Sequence, residues 1–543
     1  MTDMKSKYLF LSVLGTLAAA GLTGCYEMDT QPMDQNVTDQ QKTDAKEAIP
    51  ENAQASITGI SAVFSSYNAN FADETHSDFG FASTMIGNDC RGVDMVNSVL
   101  GYNWFSNEAQ MGTCSNTDDL TIMTWKNCYR QIFAANAAIK GINPETEDAT
   151  LQFYLAQALA MRANDYFILA QNYQFTYKGN EDKPCVMLIT EKNEEEVALK
   201  GAGRSTVQAI YTQIMEDLDD AVSLLEASGI SPEQVVESKP KRFISLATAY
   251  GLRARVNLVM NEWGAAANDA ENAIKNFNGK AKSLAEASKP SFNSLLESDW
   301  MWGIPIASTD RVVTSGIVNW PSHMGSFNYG YATAATGKSN PWRRINKKLF
   351  NSIPVSDVRR GWFLDGDKYS PNLTEAQQAF LDKKEALPFT QVKFAPYGDV
   401  IGTNENACDI PLMRIEEMYL IQAEATAMAG GDGASILNEF VSTYRDPQYS
   451  FSGSAADVQE ECFRQRRIEL FGEGLIFYDY MRLKKDFDRR GGGWDATICY
   501  NVPAGSPVLL LVIPNAEING NKLFNGADNN APAPHPDAVP DID

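Results

Sequence analysis

The sequence is poor in histidine and in basic residues, and both shortages exclude functions. It contains three histidines, His76, His323 and His535, and it has no Gly-x-Ser-x-Gly and no His-Glu-x-x-His motif. Those motifs are typical of serine hydrolases and zinc peptidases, so the sequence supports neither class. Lysine and arginine number 46 against 69 aspartates and glutamates, which gives a formal net charge of −23. Such an acidic protein repels phosphate backbones, and nucleic acid is therefore excluded as a partner.

Metal-binding patterns are also missing. The eight cysteines have no zinc-site spacing, and seven remain when Cys25 is set apart. A disulfide between Cys90 and Cys114 is one interpretation, since both lie in an irregular N-terminal region, and the other cysteines are explained at least as well as buried unreactive thiols. Asp365 and Asp367 begin a run that is similar to a calcium loop, but the oxygen ligand at position 5, the glycine at 6 and the glutamate at 12 are absent. We predict a turn there and no cofactor; a structural calcium ion held by another loop is left open.

Long hydrophobic runs are absent, and the one apolar run of note lies near the N-terminus. Residues 8–20 are uncharged and mostly apolar after Lys5 and Lys7, as in a secretory signal, whereas a membrane-spanning helix needs about 20 residues. The following Leu-Thr-Gly-Cys, residues 22–25, resembles a bacterial lipobox. That resemblance implies cleavage before Cys25 and attachment of acyl chains such as palmitate, which anchor stably when two or more are present. The alternative is a plain secretory signal that contains a cysteine.

The chain downstream of this signal divides by composition. We expect residues 1–24 to be the lipoprotein signal peptide, and residues 25–52, which are mostly polar after Cys25, to be a flexible tether. The whole sequence is 44% hydrophobic and 10% aromatic, which is typical of a globular protein. From Asn529 the composition is rich in proline, alanine and aspartate, and we predict an extended surface segment.

Helical periodicity begins near Ala55 and recurs in paired blocks. It predicts three pairs of helices. The first pair is residues 125–140 with 151–173, and the second is residues 206–225 with 244–260, continuing through Trp263 to 274. The third pair is residues 415–429 with 435–444. The second pair has small residues on one helix, then a turn and Trp-x-x-Ala on the next, and Arg162 and Arg253 occupy comparable places in their hairpins. This pattern is typical of tetratricopeptide-like hairpins. The predicted fold is mainly α, with such hairpins packed against a large irregular, loop-rich region; an ordinary helical bundle is the alternative.

Two blocks lack this periodicity. Residues 71–105 and 281–410 are irregular and rich in aromatic side chains, and the second block is also rich in glycine, proline, serine and asparagine. Long loops whose composition is not that of a disordered segment are usually functional. We therefore look for a binding site in these blocks.

Four segments carry a family resemblance, in the same order along nearly the whole chain. They are Trp125-x3-Tyr129-x2-Ile132-x3-Asn136, RIEEMYLIQAEA at 414–425, RQRRIELFGEGLIFYDYMRLKK at 464–485 and VIPNAEI at 512–518. With the lipobox, the sequence resembles the SusD/RagB family. The aromatic loops and the cysteine-containing N-terminal block are not part of that family's pattern.

The resemblance implies a SusD-like fold on a surface-exposed outer-membrane lipoprotein. Residues 53–280 would form its N-terminal part with two hairpins, and residues 281–543 its C-terminal part with the aromatic loops and the third hairpin, together one compact unit. It also implies a TonB-dependent SusC-type transporter as partner, with this protein acting as a ligand-binding lid and not as an enzyme. An oligosaccharide is the usual ligand of such proteins and a peptide an occasional one.

The charged residues of the third segment favour a structural role. Glu469 and Glu473 are i, i+4 neighbours, and Arg466 and Arg467 can pair with carboxylates on another helix. Candidates for those carboxylates are Glu416, Glu417 and Glu424. A carboxylate-binding pocket is the functional alternative, but buried charge pairs most often hold elements in register.

A sugar presents a mildly apolar face and a rim of hydroxyls, so its site needs exposed rings with amide or charged groups beside them. Asparagine and aromatic residues stand side by side at three places in the irregular blocks. The predicted ligand site comprises Asn103, Trp104, Trp320, Tyr329 and Tyr331, with Asp89 and Arg91 as polar partners. The alternative for each ring is that it plugs a loop onto the core, and Trp125, Trp300 and Trp302 are assigned to the core.

The leading hypothesis is a non-catalytic surface protein that binds an oligosaccharide and delivers it to a transporter. Peptide capture, as in RagB-like binders, is a rival, and a more charged site than these rings would favour it. A surface glycoside hydrolase is another rival, because two carboxylates suffice for that chemistry, but nothing in the sequence marks such a pair. A docking scaffold without a ligand is the last alternative.

Overall fold

The computed structural model describes residues 39–97 and 104–542. The predicted signal peptide, Cys25 and Asn103 lie outside the described residues, and what we predict of them stays a prediction. Within these ranges the helices of seven or more residues are α1 (Asp39–Ala48), α2 (Ala53–Ala62), α3 (Phe81–Arg91), α4 (Asp119–Lys140), α5 (Ala149–Tyr173), α6 (Glu194–Lys200), α7 (Val207–Ser228), α8 (Leu246–Met260), α9 (Trp263–Asn276), α10 (Glu375–Lys383), α11 (Ile415–Met428), α12 (Gly433–Tyr444), α13 (Ala455–Glu469) and α14 (Ile476–Arg482).

Short elements connect these helices. The strands form antiparallel pairs, and they are β1 (Met95–Asn97) with β3 (Arg343–Ile345), β2 (Trp300–Ile304) with β4 (Ile410–Arg414), and β5 (Phe487–Asp488) with β6 (Asn501–Val502). The shorter α-helices are Ser106–Ala109, Pro232–Val235, Leu284–Ala287, Arg311–Thr314, Trp320–Met324, Lys347–Asn351 and Asn515–Gly520. The predicted mainly α fold with a loop-rich region is confirmed.

The long helices pack in a continuous array. Helix α4 packs on α5, α5 on α7, α7 on α8, α8 on α9, α9 on α11, and α11 on α12 and α13. Local sequence sets their ends: the side chains of Asp118, Asp148, Thr206 and Ser245 accept backbone N–H bonds at the starts of α4, α5, α7 and α8. Gly229 ends α7 in the left-handed conformation.

Small side chains and repeated ion pairs hold the array together. Ala247, Ala254, Ala266 and Ala270 are buried between α8 and α9, so the helices approach as closely as the sequence predicts. Two equivalent arginine pairs bridge neighbouring helices. Arg162 on α5 donates to both oxygens of Asp217 on α7, at 2.7 and 2.8 Å. Arg253 on α8 donates to both oxygens of Asp269 on α9, at 2.7 and 3.0 Å.

Three local predictions differ from the structure. Residues 39–48, expected within a flexible tether, form α1, and Lys46 of this helix is buried. Residues 81–91, expected to be irregular, form α3, whose positions 82–91 are all buried. Its 11 residues include Ser83, Thr84, Gly87 and Asn88, which are weak helix formers, so the sequence favours a helix there only slightly. Cys90 and Cys114 are not paired, because all seven described cysteines are free and buried.

Other local predictions agree with the structure. Asp365 forms a turn, in which its Oδ1 accepts from Asp367 N and Tyr369 N. From Asn529 onward the described tail has neither helix nor strand. A hydrogen bond from Ala533 N to Cys114 O ties it to the body. No helix in the described part of the chain is long and apolar enough to cross a membrane.

The SusD/RagB-like charged segment forms buried ion pairs between elements, as predicted. Arg466 contacts Glu417 at 3.3 Å and Asp479 at 2.7 Å. Arg467 contacts Asp94, which lies outside the predicted helix pair, at 2.6 Å. Glu424 is paired by Arg482 rather than by the two arginines that we considered.

Candidate functional site

Strand pairing brings the two irregular aromatic blocks together. In the β1–β3 pair, Met95 faces Ile345 and Asn97 faces Arg343. The end of β1 therefore lies beside the start of β3. Trp104, from the first block, also lies on Tyr331, from the second.

Trp104 and Tyr331 form the centre of an aromatic cluster. Their rings are stacked, with centroids 4.3 Å apart and planes 19° apart. The backbone N–H of Trp104 donates to the Tyr331 hydroxyl at 3.1 Å. Tyr331 is buried, whereas Trp104 is only partly buried. One part of the indole therefore faces solvent, and its position is fixed from behind.

His76 adds an exposed ring to this cluster. Its centroid lies 4.4 Å from that of Trp104, and the residue is exposed. The loop that carries it is closed by hydrogen bonds from Asn68 N to Asp78 O and from Thr75 N to Asn68 Oδ1. The exposed rings of His76 and Trp104 thus form a platform whose backbone is held in place. We call Trp104, Tyr331 and His76 the aromatic platform.

His323 lies beneath the platform. It is fully buried. Four aromatic rings surround it, with centroid-to-centroid distances of 5.4 Å to Phe79, 5.1 Å to Trp104, 5.2 Å to Phe105 and 4.7 Å to Tyr331. Neither ring nitrogen has a hydrogen-bond partner in the described part of the chain. Burial, with a smaller effect of the Arg343 charge, lowers the pKa of His323 well below its ordinary value. The imidazole is therefore neutral at physiological pH.

His323→Phe is expected to stabilise the protein. An imidazole buried without partners loses its hydrogen bonds with water and gains none in return, and a phenyl ring of similar shape has no such cost. We expect the free energy of unfolding to rise by about 1 kcal/mol, measured as a higher chemical denaturation midpoint. His76→Phe, at the exposed ring, is the control and should shift the midpoint less. A lower midpoint for His323→Phe would show that the imidazole is satisfied in solution.

Tyr329, Asn319 and Asn328 lie in the same irregular segment as Tyr331. Tyr329 is 50% exposed, so it presents surface to solvent, and its role in ligand binding stays a prediction. Asn319 instead caps the helix Trp320–Met324 by accepting from Ser322 N at 3.0 Å, and Asn328 Nδ2 donates to Pro321 O at 3.1 Å. These asparagines therefore shape the loop and do not form a hydrogen-bonding rim. Gly330 is needed in this loop because a Cβ there would lie 2.7 Å from Ser322 Cα.

Trp320 is not an exposed platform. Its side chain is 2% exposed, and its ring packs edge-on against Phe394 with centroids 4.8 Å apart. The alternative that this ring plugs a loop onto the core is the one that the structure shows. Trp125, Trp300 and Trp302 are buried, as assigned.

Asp89 and Arg91 are also buried, inside the body and not beside the platform. Asp89 Oδ2 accepts from Gly474 N at 3.0 Å. The Arg91 guanidinium lies 3.8 Å from the Phe477 ring centroid and donates to Asn172 Oδ1 at 2.8 Å. Burial lowers the pKa of Arg91 to about 10. Both residues lie on α3, whose helical form the sequence reading missed, and the helix turns them into the core.

Asp89→Asn is expected to stabilise the protein at alkaline pH. Burial raises the pKa of Asp89 to about 8, so between about pH 4 and pH 8 the folded state keeps a proton that the unfolded state releases. The contribution of Asp89 to stability therefore falls as pH rises through this window. An asparagine keeps the acceptor for Gly474 N without a charge. The advantage of the variant over the parent in free energy of unfolding should be small at pH 4 and should grow by about 1.4 kcal/mol per pH unit toward pH 8, as measured by chemical denaturation at each pH.

Asp486→Asn is the matched control for this change. Asp486 also accepts one backbone N–H, from Ala504 at 2.8 Å, but it is exposed. Its replacement should not produce a pH-dependent gain. A gain for Asp89→Asn that does not change between pH 4 and pH 8 would show that Asp89 is ionised in the folded protein.

The platform was only partly predictable. Trp104, Tyr329 and Tyr331 were predicted and are placed on adjoining loops, whereas His76, His323, Phe79 and Phe105 were missed as members of the cluster. Histidine was considered for catalysis and not as a ring. The one sequence signal that could have suggested these four residues is their position: His76, Phe79 and Phe105 lie in the first aromatic block, and His323 lies in the second.

Comparison with known families covers both ends of the chain. A SusD-like family model, described as starch-binding and associating with the outer membrane, matches residues 41–258, and a second, described as the SusD family, matches residues 365–525. Trp104 and His76 lie inside the first match, whereas Tyr331 lies between the two. No curated protein matches the chain.

Solved structures share the fold over nearly the full length. A SusD-like carbohydrate binding protein from Bacteroides vulgatus ATCC 8482 is 21% identical, with a TM-score of 0.71 over 88% of this chain and 97% of that chain. A SusD superfamily protein from Bacteroides thetaiotaomicron VPI-5482 is 22% identical, with a TM-score of 0.69 over 89% and 99%. A laminarin binding SusD-like protein is 19% identical, with a TM-score of 0.58 over 87% and 97%.

The sequence segments, the helical array and these comparisons agree with one another. Both family models are of the SusD type and match in the order in which the chain carries its SusD/RagB-like segments. The solved structures with the same fold are named as SusD-like or SusD superfamily proteins. The chain belongs to the SusD/RagB family.

Proposed function

We propose that this protein is a non-catalytic, cell-surface lipoprotein of the outer membrane that binds an oligosaccharide and delivers it to a SusC-type TonB-dependent transporter. The observation that carries the binding part is the aromatic platform. Trp104 offers a partly exposed indole that is stacked on buried Tyr331 and flanked by exposed His76. A fixed ring of this kind suits the apolar face of a sugar.

The surroundings of the platform support a neutral ligand. His323 is buried beneath it with a lowered pKa, and the rings that contact His323 are those of Phe79, Trp104, Phe105 and Tyr331. The whole protein carries a formal net charge of −23, which disfavours a polyanionic ligand. These features favour a neutral oligosaccharide over a charged peptide.

The ligand class also has support from the family. One matching family model is described as starch-binding, and similar structures are named as carbohydrate binding or laminarin binding. Starch fragments and laminarin fragments are therefore the first ligands to test, with other neutral oligosaccharides beside them.

The test is direct binding of purified protein to a panel of oligosaccharides and peptides, read by titration calorimetry, with chromatography of the ligand afterwards. We expect at least one neutral oligosaccharide to bind and to be recovered intact. Shortened products would contradict the non-catalytic proposal and favour a hydrolase. Binding only of peptides would favour the RagB-like alternative, and an empty panel would favour a docking scaffold.

Cys25→Ala is expected to separate binding from uptake. In our proposal the acyl chains on Cys25 keep the protein next to its transporter, whereas the platform lies in the folded body. Cells that carry the variant should lose most uptake of the ligand at limiting concentration, while the purified variant binds it with unchanged affinity. Cys499→Ala, at a buried free thiol, is the control for loss of a cysteine. Unimpaired uptake in Cys25→Ala cells would contradict the role of the anchor.

A further inference from the structure

A cavity lies in the body, away from the aromatic platform. It has a volume of about 70 Å³ and lies between α5, α8, β2 and α14. One wall is apolar and is formed by Met85, Phe167, Ile168, Leu258 and Trp302. The opposite wall is charged. At about 10–15 Å³ for each water-sized group, the cavity has room for about five such groups.

Two arginines on the charged wall share one carboxylate. Arg255 Nε donates to Glu417 Oε1 at 3.0 Å, and Arg466 Nη2 donates to the same oxygen at 3.3 Å. The two guanidinium groups are therefore held side by side by the same carboxylate oxygen. Arg466 Nε is committed to Asp479 at 2.7 Å, and Asp479 also pairs with Arg482. The cavity also borders Glu473, and each of the three carboxylates, Glu417, Asp479 and Glu473, already accepts from an arginine.

Donors remain on the same wall without acceptors. Arg466 Nη1 is buried and has no hydrogen-bond partner in the described chain. Arg255 uses Nε and Nη2 for Glu417 and Leu412 O, and none of the hydrogen bonds among the described residues involves its Nη1. Asn164, on the cavity side of α5, likewise has no side-chain hydrogen bond to a described residue and is 8% exposed.

The geometry points to a binding site for a small aliphatic monocarboxylate, which we propose as a ligand of this cavity. A carboxylate with two oxygens can accept from two guanidinium N–H groups at once, and such charge-assisted bonds are the strongest available to arginine. The amide of Asn164 can supply a third donor. The apolar wall then covers the alkyl chain. The space for about five groups limits the chain to three or four carbons.

A neutral or cationic molecule of the same size would fit less well. An ammonium group would lie against the free donors of Arg466 and Arg255 with no free carboxylate to accept from it. An alcohol would accept one of these hydrogen bonds but would lack the second charge-assisted bond that a carboxylate makes. The cavity should therefore discriminate by head group at constant chain length.

The experiment compares sodium butyrate, butylammonium chloride and 1-butanol on the intact protein by saturation-transfer NMR and titration calorimetry. Butyrate, with six non-hydrogen atoms, is expected to bind with a dissociation constant of about 1 mM. Butylammonium should not bind, and butanol should bind at least about tenfold more weakly. No butyrate binding up to 20 mM (roughly twentyfold the expected constant), or equal binding of all three, would overturn the proposal.

Two variants locate the site. Asn164→Leu places an apolar side chain in the cavity and removes the amide, and Arg255→Lys keeps the pair with Glu417 but removes the guanidinium fork. Each should weaken butyrate about tenfold or more, whereas Asn272→Leu on α9, outside the cavity, should not. Butyrate binding that both variants leave unchanged would overturn the assignment. Oligosaccharide binding at the platform should be unaffected in all of them, so this test is independent of the proposed function.

Discussion

Glu469→Gln is expected to destabilise the protein by about 3–5 kcal/mol, because it removes one partner of a buried ion network. Glu469 lies at the end of α13 and accepts from Arg445 Nε at 2.8 Å, Arg414 Nη1 at 3.1 Å and Arg359 Nη1 at 3.2 Å. All four side chains are fully buried. Neutral glutamine would leave three buried guanidiniums short of negative charge, and chemical denaturation should show a much lower midpoint.

The effect should depend on pH in a defined direction. Burial by itself raises the pKa of Glu469, but Arg445, Arg414 and Arg359 outweigh it and hold the pKa well below its ordinary value. Such a group stabilises the fold above the pKa of the unfolded chain, about 4.3, and this stabilisation is lost as pH falls toward the folded pKa. The difference between parent and variant should therefore be full at pH 7 and should shrink below about pH 4.

Glu460→Gln is a control from the same helix. Glu460 is exposed and pairs with Lys485 at the surface. A surface pair contributes about 0–1 kcal/mol, so this variant should keep nearly the parental midpoint at both pH values. Equal losses for Glu460→Gln and Glu469→Gln would show that the buried network has no special weight in stability.

The helical array could be predicted because its determinants are local. Apolar residues at helical spacing along α4, α5, α7, α8 and α9, the small residues of α8 and α9, and the comparable positions of Arg162 and Arg253 are all visible in the sequence. That α13 forms buried ion pairs was predictable from its charges, whereas the partner of Arg467, Asp94, was not. Helix α3 was not predicted, since weak helix formers such as Ser83, Thr84 and Gly87 make up much of its sequence.

The site was less predictable because it depends on contacts that are distant in sequence. Nothing local in the sequence shows that β1 pairs with β3, or that the Trp104 ring stacks on the Tyr331 ring. The asparagines beside the rings were misleading for a physical reason: asparagine is also a preferred helix cap, and Asn319 has that role. An exposed ring and a buried one, such as Tyr329 and Trp320, have the same local sequence context.

Trp104→Ala is expected to abolish most oligosaccharide binding if our proposed function is correct. Central aromatic residues that a partner covers commonly contribute 2 kcal/mol or more to the free energy of binding. A loss of about 2 kcal/mol corresponds to a roughly thirtyfold larger dissociation constant. The mutation removes the exposed ring and also the surface that keeps the Tyr331 ring in place. Titration calorimetry with the best ligand of the panel measures the loss.

Two further variants distinguish a stacking role from a general disturbance. Trp104→Phe keeps a smaller ring over Tyr331 and should lose only part of the affinity, whereas Tyr369→Ala removes a 57% exposed ring on another loop and should lose none. Trp104 is partly buried, so each variant needs a denaturation midpoint near the parental one before its affinity is compared. Parental affinity in a folded Trp104→Ala variant would place the ligand elsewhere, and Tyr329 would then be the next ring to replace. Because the backbone N–H of Trp104, and not its indole, donates to the Tyr331 hydroxyl, that hydrogen bond can persist in the alanine variant, and a loss of binding would then be assigned to the indole ring.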